Sequence, residues 1–207
     1  MAQIIQKVKT LNSSIPPWPE DAKPQLSAIA WTWLKKYGII EQETKDFLWS
    51  DEKQWLIFPI YSHVARYKWN PPQDILIAWQ ARNFHPVRYK PKYITRGPVG
   101  DIFHLLGDPE GDTVIITEDY ISAIKVARVC TASPAFGSII SLDKLTTLHK
   151  RFKNLGIWLD MDKAGEAVKS KLRASQLGFK KVFTILSPKD PKEYDEETIK
   201  AMITVNE

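Results

Sequence analysis

The stretch Gly156-Ile157-Trp158-Leu159-Asp160-Met161-Asp162-Lys163-Ala164-Gly165 decides how this chain is read. A short apolar run ends in two aspartates, and an alanine-glycine pair then opens a helical pattern. Upstream, Ile115-Ile116-Thr117-Glu118 closes another β-branched run on an acid, and Lys189-Asp190-Pro191 follows a third apolar run. If the strand starting at Gly156 continues to Asp162, the alternation of faces projects Asp160 and Asp162 the same way. In an open parallel sheet that strand end is where ligands sit. Two carboxylates so close repel, and one would hold its proton unless a cation compensated. A divalent ion is the economical answer. Asp162 could instead cap the helix that begins at Ala164.

Working outward, strand and helix signals alternate through the second half. Strands are predicted at Val114 to Thr117, near Ala135 to Phe136, at Gly156 to Leu159 and at Val182 to Leu186. Helices are predicted at Tyr120 to Val129, Leu142 to Phe152, Ala164 to Leu177 and Glu196 to Ile203. That order predicts an α/β fold with parallel pairing through right-handed crossovers. The first half reads differently: a helix from Gln25 to Tyr37 stopped by Gly38, a short helix from Glu41 to Phe47, and strands Lys53 to Tyr61 and Asp74 to Ala81 paired as a hairpin. Gly97 to Gly111 is the best boundary. The expected organisation is an arm over residues 1–20, a smaller α+β basic subdomain over 21–110, and a parallel sheet flanked by helices over 111–207.

The 207 residues, 43% hydrophobic, can bury a real core and exclude a wholly disordered chain. No run approaches the ~20 apolar residues of a membrane helix, and the start lacks the apolar segment of a signal peptide. A cytoplasmic protein with no membrane partner is expected. The single cysteine, Cys130, excludes an internal disulfide framework and a cysteine-rich zinc module, so no zinc is expected. His63, His85, His104 and His149 lack metal-ligand spacing and read as packing or surface residues. No Gly-x-x-x-x-Gly-Lys-Ser/Thr motif is present.

Seven of the eight tryptophans lie between Trp18 and Trp79, which predicts an N-terminal core packed around large rings. From Arg82 to Arg96 the chain holds Arg82, Arg88, Lys90, Lys92 and Arg96 with no acid among them. Rings interleaved with cations suit single-stranded nucleic acid, because rings stack bases while cations follow phosphates. The net charge is only +5, so the local asymmetry carries more than the total.

From about Asp112 onward these motifs resemble the TOPRIM domain shared by DnaG-type primases, type IA and II topoisomerases and some nucleases. Asp160-Met-Asp162-Lys-Ala164-Gly165 resembles the primase form Asp-x-Asp-x-Ala-Gly, Glu118-Asp119-Tyr120 resembles Glu-Gly-Tyr, and Lys189-Asp190-Pro191 the late Asp-Pro. Upstream, Phe58-Pro59-Ile, Ile77-Ala78-Trp-Gln-Ala-Arg82 and Pro91-Lys92-Tyr93 resemble further primase segments, so the similarity runs from about Ala28 to Asp195. Ser122 and Lys192 stand where that family usually carries aspartates, and Asp119 where it carries glycine.

The resemblance implies a DnaG-type primase catalytic core in a compact, phage-like form without zinc-binding or helicase regions. Its activity would be synthesis of short RNA primers on single-stranded DNA from ribonucleoside triphosphates, in a bacterial or phage-infected cytoplasm. Glu118, Asp160 and Asp162 would be catalytic and, with Asp190, would hold one or two Mg²⁺ or Mn²⁺ ions. Arg82 and Lys92 would contact template or nucleotide, and Lys163, beside the helix opening at Ala164, would add charge near phosphate. A separate replicative helicase or zinc-bearing protein would be the partner. The alternatives are a metal-dependent nuclease using the same carboxylates and a non-catalytic module that grips single-stranded DNA or a replication partner.

Overall fold

A computed structural model of the chain describes residues 17–62, 75–85, 91–97, 99, 104–108, 110–137 and 139–207. The chain divides into two compact units, with the division between Val99 and Gly100.

Among its described residues, the first unit joins one α-helix to an antiparallel sheet. Helix α1, Ala28–Lys36, starts at Ser27, whose hydroxyl accepts from the Ala30 N–H, and ends at Tyr37. Gly38 follows at φ 65°, the left-handed conformation that glycine adopts without penalty. The second predicted helix is a single 3₁₀ turn, Glu41–Thr44. Strands β1 (Leu48–Ser50), β2 (Trp55–Ser62), β3 (Ile75–Asn83) and β4 (Tyr93–Arg96) are neighbours in that order, and every pairing is antiparallel. The expected β2–β3 pairing is present, with Phe58 opposite Gln80 and Pro59 opposite Trp79. Trp49 and Trp79 are buried, and Phe47 meets Phe58 edge-on at 4.9 Å, so large rings do fill this core. The sequence reading missed β1 and β4, which are too short to carry a periodic pattern. The expected arm over residues 1–20 lies largely outside the described residues; from Pro19 the described chain turns, and Lys23 bridges to Trp49.

The second unit is a parallel sheet with helices on both faces. Its strands are β5 (Thr113–Thr117), β6 (Thr131–Pro134), β7 (Asn154–Trp158) and β8 (Lys181–Thr184), in spatial order β6-β5-β7-β8. The helices are α2 (Tyr120–Ala127), α3 (Leu142–His149), α4 (Ala164–Ser175) and α5 (Glu196–Asn206). Alternate strand residues feed two cores. Val114, Ile116, Leu155 and Ile157 pack with Leu145, Leu148, Ala167 and Ala174 of α3 and α4. Ile115, Trp158 and Phe183 pack with Ala123, Val126, Ile199 and Ile203 of α2 and α5. Strands buried on both faces need apolar residues throughout, which is why β5 and β7 read as continuous apolar runs.

Two strand predictions need correction. β6 spans Thr131–Pro134, not Ala135 to Phe136; its residues are small or polar but buried, so no apolar run marked it. β7 ends at Trp158, and Asp160 heads a separate 3₁₀ turn, Met161–Lys163, so the two aspartates are not alternate residues of one strand.

The chain from β5 through α2 moves to β6 on one side, then returns through α3 to β7 on the other, so the strand order reverses between β5 and β7. Such a switch point opens a crevice at the carboxyl ends of the strands. Gly156 permits the tight packing beneath it, because a Cβ there would lie 2.4 Å from Ile115 Cδ1 and 2.8 Å from the Phe183 ring. Gly156→Val should therefore overpack this layer and cost roughly 1–3 kcal/mol. Chemical denaturation followed by circular dichroism measures the loss.

Candidate active site

Register places the acids. Thr117 of β5 pairs with Trp158 of β7, so Glu118 and Asp160 emerge from adjacent strand ends at the switch point. Glu118 accepts a hydrogen bond from the Asp160 backbone N–H. Its Oε2 and Asp160 Oδ1 are both buried and have no hydrogen-bond partner. Each carboxyl is held above its ordinary value. For Glu118 the causes are burial and then the charge of Asp162. Asp160 is pushed up to about 7 by burial and then by the Glu118 carboxylate, with Lys192 acting in the opposite direction.

Each of the other two expected ligands is paired with a lysine. Asp162 is exposed and hydrogen-bonds to Lys163 at 2.7 Å, which lowers its pKa. Asp190 lies 2.6 Å from the Lys192 ammonium, and its charge still reaches Asp160. Among the described residues no three Asp, Glu, His or Cys side chains are gathered closely enough to hold a metal ion as they stand. The donor set nonetheless suits a hard dication: two orphaned, mutually repelling carboxylate oxygens can be satisfied by one Mg²⁺ that keeps several waters.

Asp119 and Lys192, which the sequence marks only as departures from the family pattern, are paired with each other here. Asp119 caps α2, accepting from the Ser122 N–H at 2.9 Å through Oδ1, while its Oδ2 lies 2.5 Å from Lys192 Nζ. Asp119 three residues before Ser122 is a helix-capping spacing, visible in sequence; the burial of Lys192 has no local signal. The loop carrying Asp190 is tied to β7 through Trp158, whose indole N–H donates to Ser187 Oγ at 2.8 Å, and that hydroxyl donates to the Lys189 carbonyl at 2.7 Å. Asp190 then leads into the 3₁₀ turn Pro191–Glu193.

Of the expected nucleic-acid contacts, Lys163 stands beside the acids, and its charge reaches both Glu118 and Asp160. Arg82, Lys92 and Arg96 belong to the first unit, while Arg88 and Lys90 lie outside the described residues. The Arg82 guanidinium sits 5.2 Å from the Trp33 ring, 5.2 Å from the Tyr93 ring and 5.7 Å from the Phe84 ring. Its Nε and Nη1 are buried without a hydrogen-bond partner. Lys92 and Arg96 are exposed. His104, as expected of a packing residue, is buried against the Tyr120 hydroxyl at 2.9 Å. A cavity of about 300 Å³ lined by Asp112, Thr113, Cys130 and Glu207 lies at the amino-terminal edge of β5, the opposite end from the acids.

With this geometry in hand, comparison with known proteins gives a consistent class. Residues 113–186 match the Toprim domain family. This stretch of the chain is therefore similar to a Toprim domain, and the fold is similar to that of DnaG-type primase catalytic cores. An Aquifex aeolicus primase structure comprising zinc-binding and RNA polymerase domains aligns over 99% of this chain at 18% identity, with a TM-score of 0.62. A primase domain from Pseudomonas aeruginosa aligns over 87% at 18% identity, with a TM-score of 0.58. The DnaG catalytic domain bound to single-stranded DNA aligns over 99% at 17% identity, with a TM-score of 0.59. The chain spans 56% of the first of these proteins, 60% of the second and 71% of the third. Comparison with curated protein sequences gives no match.

The repulsion at Glu118 and Asp160 has a measurable signature. Because the folded pKa of Asp160 lies above its ordinary 3.8, the protonated form favours folding. That contribution is complete below the unfolded value and is lost as pH rises through about 7. Asp160→Asn removes the titration, so the metal-free variant should gain stability over wild type progressively between those pH values and keep the gain above them. Each kcal/mol relieved raises Tm by roughly 2–4 °C in a chain of this size. Thermal denaturation in chelator across the pH range checks it.

Proposed function

We propose that this chain is the catalytic core of a DNA primase, a nucleotidyltransferase that makes short RNA primers on single-stranded DNA. The carrying observation is the pair of buried, partnerless carboxylate oxygens on Glu118 and Asp160 at the switch point of a Toprim-like sheet. Such a pair is costly unless a cation joins it, and the reading assigns Glu118 and Asp160 to hold Mg²⁺ or Mn²⁺. Asp162 would serve as a further ligand or catalytic group once freed from Lys163, and Asp190 as a more distant acid. The bound ion would neutralise triphosphate oxygens and lower the pKa of an attacking 3′-hydroxyl.

The chain's own side chains supply the remaining roles. Lys163, already next to the acids, would meet incoming phosphate. Arg82 presents a guanidinium whose buried nitrogens lack acceptors, a state relieved by a phosphate or base oxygen, and Lys92 and Arg96 would follow the template backbone. Arg88 and Lys90 complete the basic stretch of the sequence. Template-bound partners, including a separate helicase or zinc-bearing protein, and a bacterial or phage-infected cytoplasm belong to the same reading. Among the described residues no helix is long and apolar enough to cross a membrane.

Labelled ribonucleotides, single-stranded DNA and Mg²⁺ or Mn²⁺ should give short oligoribonucleotides, and Asp160→Ala should abolish them. Product unchanged by the substitution would overturn the proposal. Labelled DNA shortened by Mn²⁺ without nucleotides would favour a nuclease, and Asp160-independent DNA binding without turnover a non-catalytic module. Lys92→Ala should weaken binding to single strands uniformly across sequences. It should also flatten the log affinity against log salt slope by roughly 0.7, the value for one lost phosphate contact, as fluorescence anisotropy would show.

A further inference from the structure

Lys192 is a buried charged group that the proposed chemistry does not use. It is only 7% exposed, sits in the turn after buried Pro191, and has its ammonium 2.5 Å from Asp119 Oδ2 and 2.6 Å from Asp190 Oδ2. Those carboxylates are themselves largely covered, with side chains 13% and 27% exposed. One comes from the turn between β5 and α2, the other from the loop between β8 and α5. A lysine bridging two acids from separate segments occupies the position that would otherwise attract a mobile cation.

Three of the acids around the site have a lysine ammonium within ion-pair distance. Asp162 is partnered by Lys163, and Asp119 and Asp190 share Lys192. Glu118 and Asp160 are left with buried, unpartnered oxygens. Two carboxylates that each keep such an oxygen match the charge of one divalent ion.

We propose that Lys192 is the tethered cation of this site, standing in for a second divalent ion, so that the chain binds a single metal. The proposal rests on the metal-dependent reading above. Lys192 is a positioning residue here: it holds Asp119 and Asp190 in place and denies them to metal. An ammonium cannot dissociate into chelator, so the Asp119–Asp190 bridge survives metal removal while the Glu118–Asp160 pair does not stay compensated.

Titration of the full chain with Mn²⁺, followed by loss of the free-ion electron paramagnetic resonance signal and by calorimetry, reads the count directly. Wild type is expected to bind one ion tightly. Lys192→Met, which keeps length without charge, should bind two, the second between Asp119 and Asp190. Wild type binding two ions, or a folded Lys192→Met variant binding one, would overturn the inference while leaving the metal reading intact. Wild type binding none would overturn both. Breaking a buried ion pair can unfold a protein, so Asp119→Asn, which preserves the cap on α2, provides a second arm. Its count should remain one, and loss of the ion would show that Asp119 is a ligand and not Lys192's partner.

Discussion

Two carboxylates that cannot comfortably share a crevice set the terms for this structure. Pairing of Thr117 with Trp158 brings the acids after β5 and β7 to one strand end. The backbone N–H of Asp160 holds Glu118 there, while burial raises the cost of both charges. In the apolar layer beneath, Gly156 lies close against Ile115 and the Phe183 ring, and the strand register keeps the two strand ends together. The repulsion is therefore fixed by the sheet itself, and it must be answered by protons or by a cation. An apolar core packed under a charged crevice is a common trade of stability against function.

The surroundings answer the remaining charge with side chains. Asp119 caps a helix and binds Lys192 at once, and Trp158 anchors the loop that delivers Asp190 through Ser187. Core packing and site chemistry thus meet in single residues. Trp158 fills the layer beneath α2 and α5 while its indole N–H fixes a loop of the site. In the first unit Arg82 follows a similar economy, with its guanidinium among three rings and two nitrogens still without acceptors.

Sequence alone carried the alternation of strand and helix in the second unit, because β5 and β7 are buried on both faces and must be apolar throughout. It also marked Glu118 and Asp160, since acids directly after such runs stand out. It misplaced β6, whose Thr131 and Ser133 are buried polar residues without an apolar signature. It also joined Asp162 to the strand, where the backbone turns into a 3₁₀ segment and leaves that side chain in solvent beside Lys163. Lys192 read as an interruption of an acidic motif. Its partnership with Asp119, 73 residues away, exists only once β5 and β8 lie in one sheet.

The central claim is that Glu118 and Asp160 share one cation. Anomalous diffraction from a crystal soaked in Mn²⁺ tests it most directly. The account predicts a peak bridging the Glu118 and Asp160 carboxylates, with Lys192 still seated between Asp119 and Asp190. A peak elsewhere, or Glu118 turned away from Asp160 with no ion between them, would contradict it.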